Sequence, residues 1–117
     1  MDLSINLSID PNNSVQYIYK DYYILQNVSE KKALSILKDN DDGSWIFRFD
    51  YITQKYYLTI KNNDEFINHH VLYYCKRTDE VIIQLSDKTS EVYPSLNDYL
   101  VDMTQIYSIN LSKQIIV

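Results

Sequence analysis

Glycine and cysteine are almost absent from this sequence. Gly43 is the single glycine and Cys75 the single cysteine among 117 residues. One glycine is too few for a Rossmann fingerprint or a Walker loop, because both motifs require several glycines. One cysteine cannot form an intrachain disulfide, so we expect a reduced thiol in a cytosolic protein. These shortages exclude the common nucleotide-binding loops and a disulfide framework.

Positive charge is also scarce, with 11 lysines and arginines against 16 acidic residues and a net charge of −5. A general nucleic-acid binder presents a cationic surface, so this balance argues against one. No apolar run approaches the roughly 20 residues that span a membrane. The first residues lack the basic and apolar regions of a signal peptide. We therefore expect no nucleic-acid partner, no membrane partner and no cofactor.

The patterns that are present begin with an alternation of apolar and polar residues. Leu3 to Ile9 alternate, Val15 to Tyr19 alternate again, and the polar cluster at 11–14 favours a turn between them. This predicts a β-hairpin over residues 1–20, ahead of a single domain over residues 21–117.

Two helices and several strands are predicted within that domain. Asn27 and Ser95 are each followed three residues later by an acidic side chain, as in a capping box. The predicted order is a strand at 22–25, a helix at 30–38, strands at 45–49, 56–60, 66–74 and 81–85, a surface loop at 86–91, a helix from residue 95 and an extended tail at 111–116. Short connections favour antiparallel neighbours among the later strands. The fold class predicted is α+β: a central antiparallel sheet flanked by one helix on each face, with an extra N-terminal β-hairpin.

Arg48 is the residue that fits its surroundings least. Alternation places Trp45 and Phe47 on one face of a strand, and Ile46 and Arg48 on the other. With a helix on both faces, Arg48 is at least partly buried. A buried guanidinium keeps its proton and needs an anion. Either the protein supplies that anion, from Glu30, Asp41 or Asp50, or a ligand does.

The segments around Arg48 resemble a Src homology 2 (SH2) domain, the phosphotyrosine-peptide-binding module. Gly43-Ser44-Trp45-Ile46-Phe47-Arg48 is similar to the family's Gly-(Ser/Thr)-Phe-Leu-Val-Arg, whose arginine forks onto the phosphate. Four more segments resemble the family in its own order, over about two thirds of the chain: Tyr22 to Lys38, Tyr56-Tyr57-Leu58-Thr59-Ile60, Ile67 to Leu72, and Tyr93-Pro94-Ser95-Leu96 with the following Tyr99-Leu100-Val101.

The resemblance implies roles for particular residues. It places the phosphate on Arg48 at the base of a pocket between the first helix and the sheet. Further phosphotyrosine-binding candidates are Lys31, Ser44, Thr53, Lys55, Tyr57 and His69, and peptide-binding candidates are His70, Val71, Ile83 and Met103. His69 and His70 face opposite ways on a strand, so they are not expected to share a metal, and no metal site is predicted.

Two acidic residues depart from the family pattern. Glu30 stands where the first helix often carries a second phosphate-contacting arginine, and Asp50 stands where a phosphate-contacting serine is common. Two interpretations stay open. Either the pocket binds phosphotyrosine with an unusual set of cations, or Glu30 or Asp50 neutralises Arg48 and the pocket has lost phosphate binding.

The sequence thus predicts a non-enzymatic signalling module that binds tyrosine-phosphorylated proteins or peptides. We expect a monomer in the cytoplasm and, if the source is bacterial, an effector secreted into a host cytoplasm. The alternative is a small acidic secretion-type chaperone, or a protein-interaction domain without phosphate binding. No catalytic Ser/His/Asp order or pair of catalytic carboxylates stands out, so an enzyme is not expected.

Overall fold

The computed structural model describes residues 15–19 and 22–115, with side chains described from residue 22 onward. The elements in chain order are β1 (Val15–Tyr19), β2 (Tyr22–Gln26), α1 (Glu30–Leu37), β3 (Trp45–Asp50), β4 (Lys55–Asn62), β5 (Glu65–Val71), β6 (Tyr73–Tyr74), β7 (Val81–Ser86), β8 (Thr89–Tyr93), α2 (Leu96–Ile106) and a short 3₁₀ helix (Leu111–Lys113).

Two sheets form the centre of the fold. The larger has five strands in the order β1-β2-β3-β4-β5, and the smaller has three in the order β6-β7-β8. All strand pairs are antiparallel except β2 and β3, which run parallel through Leu25 beside Arg48 and Gln26 beside Phe49. That pair is parallel because α1 connects the two strands as a crossover. The α+β class is confirmed.

The two helices cover opposite faces of the larger sheet, as predicted. On one face Trp45 and Phe47 belong to a core cluster with Leu96, Leu100 and Met103 of α2. On the other face Ile46 packs with Leu25 of β2 and with Ala33 and Leu37 of α1. The alternation within β3 therefore separates two hydrophobic layers, and Arg48 lies in the α1 layer.

The start of α1 differs from the prediction. Ser29, not Asn27, caps the helix, because its side chain accepts the backbone N–H of Lys32 at 3.2 Å. Asn27 instead takes a left-handed conformation, with φ 55°, at the turn out of β2. The predicted cap of α2 is confirmed, since Ser95 accepts the N–H of Asp98 at 3.0 Å.

Other predicted boundaries also change. The predicted loop at 86–91 was wrong, because Thr89–Tyr93 forms β8 against β7; its side chains are mostly polar and exposed, which hid the strand. The predicted strand at 66–74 is divided into β5 and β6. The tail contains the 3₁₀ helix, and Gln114 then bridges Trp45.

The predicted N-terminal hairpin lies only partly within the described residues. Val15–Tyr19 is a strand, as predicted, and it pairs antiparallel with Tyr22–Gln26. The Leu3–Ile9 alternation lies outside the described residues. Within the described ranges, no helix is long and apolar enough to cross a membrane.

Candidate functional site

Arg48 lies at the centre of the candidate site. It is on β3, with Leu25 of β2 on one side and Tyr57 of β4 on the other, and its exposed fraction is 0%. It shares the α1 face with Ile46, so its side chain extends beneath the turn that leads into α1. The sequence prediction of a buried arginine at this point is confirmed.

Three neutral oxygens hold the Arg48 guanidinium in place. Its Nε donates to Oγ1 of Thr59 at 2.9 Å, and its Nη1 donates to the carbonyl oxygen of Val28 at 2.9 Å. Its Nη2 donates to Oδ1 of Asn68 at 2.8 Å. Because these acceptors lie on three different edges of the planar group, they fix its orientation without neutralising its charge.

Asp50 supplies the one carboxylate in direct contact with Arg48 among the described residues. Its Oδ2 lies 3.3 Å from Nη1 of Arg48, which is long beside the roughly 2.7–2.9 Å of charge-assisted hydrogen bonds. Its Oδ1 accepts the backbone N–H of Ile52 at 2.8 Å and of Thr53 at 3.4 Å. Asp50 therefore divides its hydrogen bonds between Arg48 and the loop that joins β3 to β4.

The other two predicted anions do not touch Arg48. Glu30 accepts the side-chain amide N–H of Asn68 at 2.9 Å, so it reaches the arginine only through that residue. Asp41 lies 3.4 Å from Lys113 instead. Burial lowers the pKa of Arg48, while the Asp50 charge raises it. The guanidinium nevertheless stays protonated, as arginines in proteins do.

Tyr57 covers the arginine. Its ring centroid lies 4.7 Å from Cζ of Arg48, a cation–π distance, and its hydroxyl donates to Oγ1 of Thr53 at 3.1 Å. The His70 ring centroid lies 5.6 Å from that of Tyr57. The structure thus brings Arg48, Thr53, Tyr57 and His70 together. Lys55 lies beside Asp50 in the strand register and is exposed, and Lys31 is exposed on α1.

His69 lies on the opposite face of the sheet, which corrects the predicted pocket role. It pairs with Leu58 in the register, so it points toward α2. Its Nδ1 is hydrogen-bonded to the Tyr99 hydroxyl, and its ring packs between Tyr99 and Tyr107. Burial, and next the His70 charge, lowers the pKa of His69. His70, one residue later, is the histidine on the Arg48 face.

Ser44 is also distant from Arg48. It is buried just before β3, where its backbone N–H bonds the carbonyl of Asp41 and its carbonyl accepts from Lys61. Ser44 and Arg48 are four positions apart along an extended segment, about 13 Å. The structure therefore does not bring Ser44 to the Arg48 guanidinium, and its predicted phosphate contact has no support from this geometry.

Three of the four predicted peptide-binding residues are core residues. Val71, Ile83 and Met103 are 1%, 5% and 1% exposed and belong to the cluster beneath α2. They have no surface to offer a peptide, so that interpretation was wrong for these residues. His70 alone of the four is exposed.

Sequence reasoning missed the three neutral acceptors around Arg48. Thr59 and Asn68 are paired across β4 and β5 and lie on the Arg48 face. A Thr and an Asn on the same sheet face as a buried arginine could have been predicted to accept its hydrogen bonds. Recognising that they share this face requires the strand register, which the sequence does not provide. The carbonyl of Val28 carries no side-chain signal at all. Within the described part of the chain, no cluster of acidic, His and Cys side chains is arranged to hold a metal.

Comparison with known proteins gives a likeness of fold. No protein-family model matches the chain, and no curated protein matches it. Among solved structures, it is similar to the solution structure of the VAV1 SH2 domain complexed with a tyrosine-phosphorylated peptide from SLP76. The TM-score is 0.50 and the identity 15%, over 71% of this chain and 59% of that chain. The match spans less than two thirds of that structure's length. The protein therefore has an SH2-like fold.

Proposed function

We propose that this protein is a non-enzymatic module that binds phosphotyrosine-containing peptides or proteins, with the phosphate on Arg48. The observation that carries the proposal is the unequal set of contacts around the guanidinium. Three neutral acceptors orient it at 2.8–2.9 Å, whereas its one anionic contact, to Asp50, is the longest at 3.3 Å. The arginine is held firmly in position and only loosely paired.

A phosphate is the stronger partner for such an arginine. Phosphotyrosine carries about −1.5 to −2 charges at pH 7 and three acceptor oxygens. A single Asp50 oxygen offers one monodentate contact. The four contacts of Arg48 occupy four of its five N–H groups, and the fifth, on Nη2, has no acceptor among the described residues.

Tyr57 must move for a phosphate to enter. Its ring covers Arg48, but Tyr57 is only half-buried and its hydroxyl contact to Thr53 is exposed. Rotation of a partly exposed side chain is fast, so the ring does not slow phosphate entry, and its displacement costs one cation–π contact and one exposed hydroxyl contact. The moved ring is well placed to pack against the phosphotyrosine ring, with His70 and Lys55 at the rim.

The test is titration with a phosphotyrosine peptide and with its unphosphorylated twin. We expect detectable binding of the first only, and Arg48→Ala should weaken it by at least about 100-fold, as for loss of one partner of a buried charged pair. Arg48→Lys keeps the charge but loses the two parallel donors, so it should also bind weakly. Circular dichroism checks that both variants fold.

Arg77→Ala is the matched control, because Arg77 is the other arginine of the chain and is exposed in the turn before β7. It should bind as the unaltered protein does. Equal affinity of the unaltered protein for the two peptides would overturn the proposal.

A phosphate-independent interaction domain is the second candidate. The contact between Arg48 and Asp50 favours it, because a carboxylate already lies against the arginine. In that case a partner would bind with no preference for phosphate. The secretion-type chaperone variant of this candidate predicts a stable dimer in light scattering, whereas a phosphotyrosine reader is proposed to act as a monomer in the cytoplasm.

A further inference from the structure

Three donors converge on the carboxylate of Asp50. They are Nη1 of Arg48 at 3.3 Å, the backbone N–H of Ile52 at 2.8 Å and the backbone N–H of Thr53 at 3.4 Å. A guanidinium together with successive backbone N–H groups of a tight loop is a donor set that suits an oxyanion. The chain occupies this donor set with its own side chain.

We propose that Asp50 is an intrachain ligand of the anion site, and that a phosphate enters by exchange with Asp50. This inference rests on the proposed function and identifies a specificity-determining residue within it. Because Asp50 is tethered two residues from Arg48, its effective concentration at the site is high, on the order of millimolar or more. Every incoming anion must therefore compete with it.

That competition acts most severely on carboxylates. A glutamate or aspartate side chain of an acidic peptide offers the same carboxylate that Asp50 already supplies. Replacing Asp50 with that side chain therefore gains no binding free energy. A phosphate offers a third oxygen and additional charge. Asp50 thus rejects acidic unphosphorylated peptides and lowers the affinity for phosphorylated ones.

The loop after β3 is coupled to the exchange. Thr53 donates its backbone N–H to Asp50 and accepts the Tyr57 hydroxyl at its Oγ1. Ile52, between Asp50 and Thr53, is 87% exposed, so the tip of the loop has little core packing. The Tyr51 ring against Phe49 and the Gln54 N–H on the Asp50 carbonyl at 2.7 Å hold the ends of the loop. Departure of Asp50 releases both loop N–H groups at the same time as Tyr57 uncovers Arg48.

The experiment compares the unaltered protein with Asp50→Asn, a neutral side chain of the same shape that keeps an oxygen for the Ile52 N–H. Three peptides of one sequence are titrated, with phosphotyrosine, glutamate or tyrosine at the central position. Asp50→Asn should bind the phosphotyrosine peptide about tenfold more tightly, the size of one charge-assisted hydrogen bond. It should also gain measurable affinity for the glutamate peptide. Asp41→Asn, an exposed carboxylate paired with Lys113, should change neither.

A second measurement on the unaltered protein guards against a folding defect in the variant. The phosphotyrosine peptide should shift the backbone amide resonances of Ile52 and Thr53. Phosphotyrosine binding without those shifts, or with equal affinity in Asp50→Asn, overturns the exchange and leaves the proposed function intact. Binding by Asp50→Asn alone supports the exchange and overturns the function of the natural sequence. Binding by neither protein overturns both.

Discussion

At the scale of single residues, Asn68 is the polar centre around Arg48. Its Oδ1 accepts from Nη2 of Arg48 at 2.8 Å and from Oγ1 of Thr59 at 2.7 Å, and its amide N–H donates to Glu30 at 2.9 Å. The Asn68 side chain, on β5, therefore connects Arg48 of β3 to Thr59 of β4 and to Glu30 of α1. It positions Arg48 and would not itself need to touch a ligand.

Replacing Asn68 with Ala should lower the free energy of unfolding by about 1–3 kcal/mol, because a buried guanidinium N–H loses its acceptor. Urea denaturation measures the change. Asn97→Ala is the control, since Asn97 is exposed and accepts one hydrogen bond from Tyr22. A loss in Asn68→Ala no larger than in the control would show that the network around Arg48 is not a stabilising one.

The positions of some individual residues could be predicted from the sequence, and others could not. Period-two alternation in β3, together with a predicted helix on each face of the sheet, was sufficient to predict that Arg48 is at least partly buried. Assigning His69 to the pocket was wrong because two adjacent histidines occupy both faces, and only the pairing of Leu58 with His69 decides between them. The interpretation of Val71, Ile83 and Met103 rested on the resemblance, and apolar side chains look the same whether they line a groove or a core.

At the scale of elements, α1 is short and depends on its first turn. It has eight residues, and its interior face contributes only Ala33 and Leu37 as fully buried side chains. Isolated helices of this length are marginal in water. The hydrogen bond that the Ser29 side chain accepts from the backbone N–H of Lys32, and packing on β3, therefore hold α1 over the Arg48 site.

Ser29→Ala should lower the free energy of unfolding by about 1 kcal/mol, the usual cost of losing a helix cap. Ser35→Ala, in the exposed middle of the same helix, is the matched control and should be neutral or slightly stabilising. Chemical denaturation of the two variants gives the comparison. If the two substitutions cost the same, Ser29 does not act as the cap.

Elements with a clear periodicity were the predictable ones. β3, β4 and α2 follow from alternation and from the Ser95 cap. β8 was missed because Thr89 to Val92 are all exposed and only Tyr93 reaches the core. The cap of α1 was assigned to Asn27 because a sequence pattern does not reveal that this residue adopts a positive φ.

At the scale of the whole molecule, two histidines connect stability to pH. Burial and then His70 lower the pKa of His69 below its ordinary 6.5, and burial and then Lys55 lower that of His70. Each group therefore binds a proton more readily in the unfolded chain than in the folded one. Their stabilising contribution is complete above pH 6.5 and is lost as the pH falls through that value toward the lowered pKa values.

We expect the urea midpoint to depend on pH between about 7.5 and 5.5 partly through His69, the more buried of the two. His69→Gln removes the titrating group, so the stability of the variant should fall less over this range than that of the unaltered protein. Taking the difference between the two proteins cancels the contribution of the carboxylates. An identical pH dependence of the urea midpoint in the two proteins would show that His69 does not contribute to it.

The Gln114 bridge has a consequence for how the chain reaches this fold. The parallel pairing of β2 and β3 covers only two residue pairs. At Tyr23, near the start of β2, the side-chain amide of Gln114 takes the place of a neighbouring strand. Its Oε1 accepts the Tyr23 backbone N–H at 3.1 Å, and its Nε2 donates to the Tyr23 carbonyl at 2.6 Å. Its own backbone bridges Trp45. Residues 91 positions apart thus complete the sheet. Loop-closure entropy makes contacts between such distant residues slow to form. The contacts of Gln114 with Tyr23 and Trp45 are therefore expected to form late in folding, after the local hairpins.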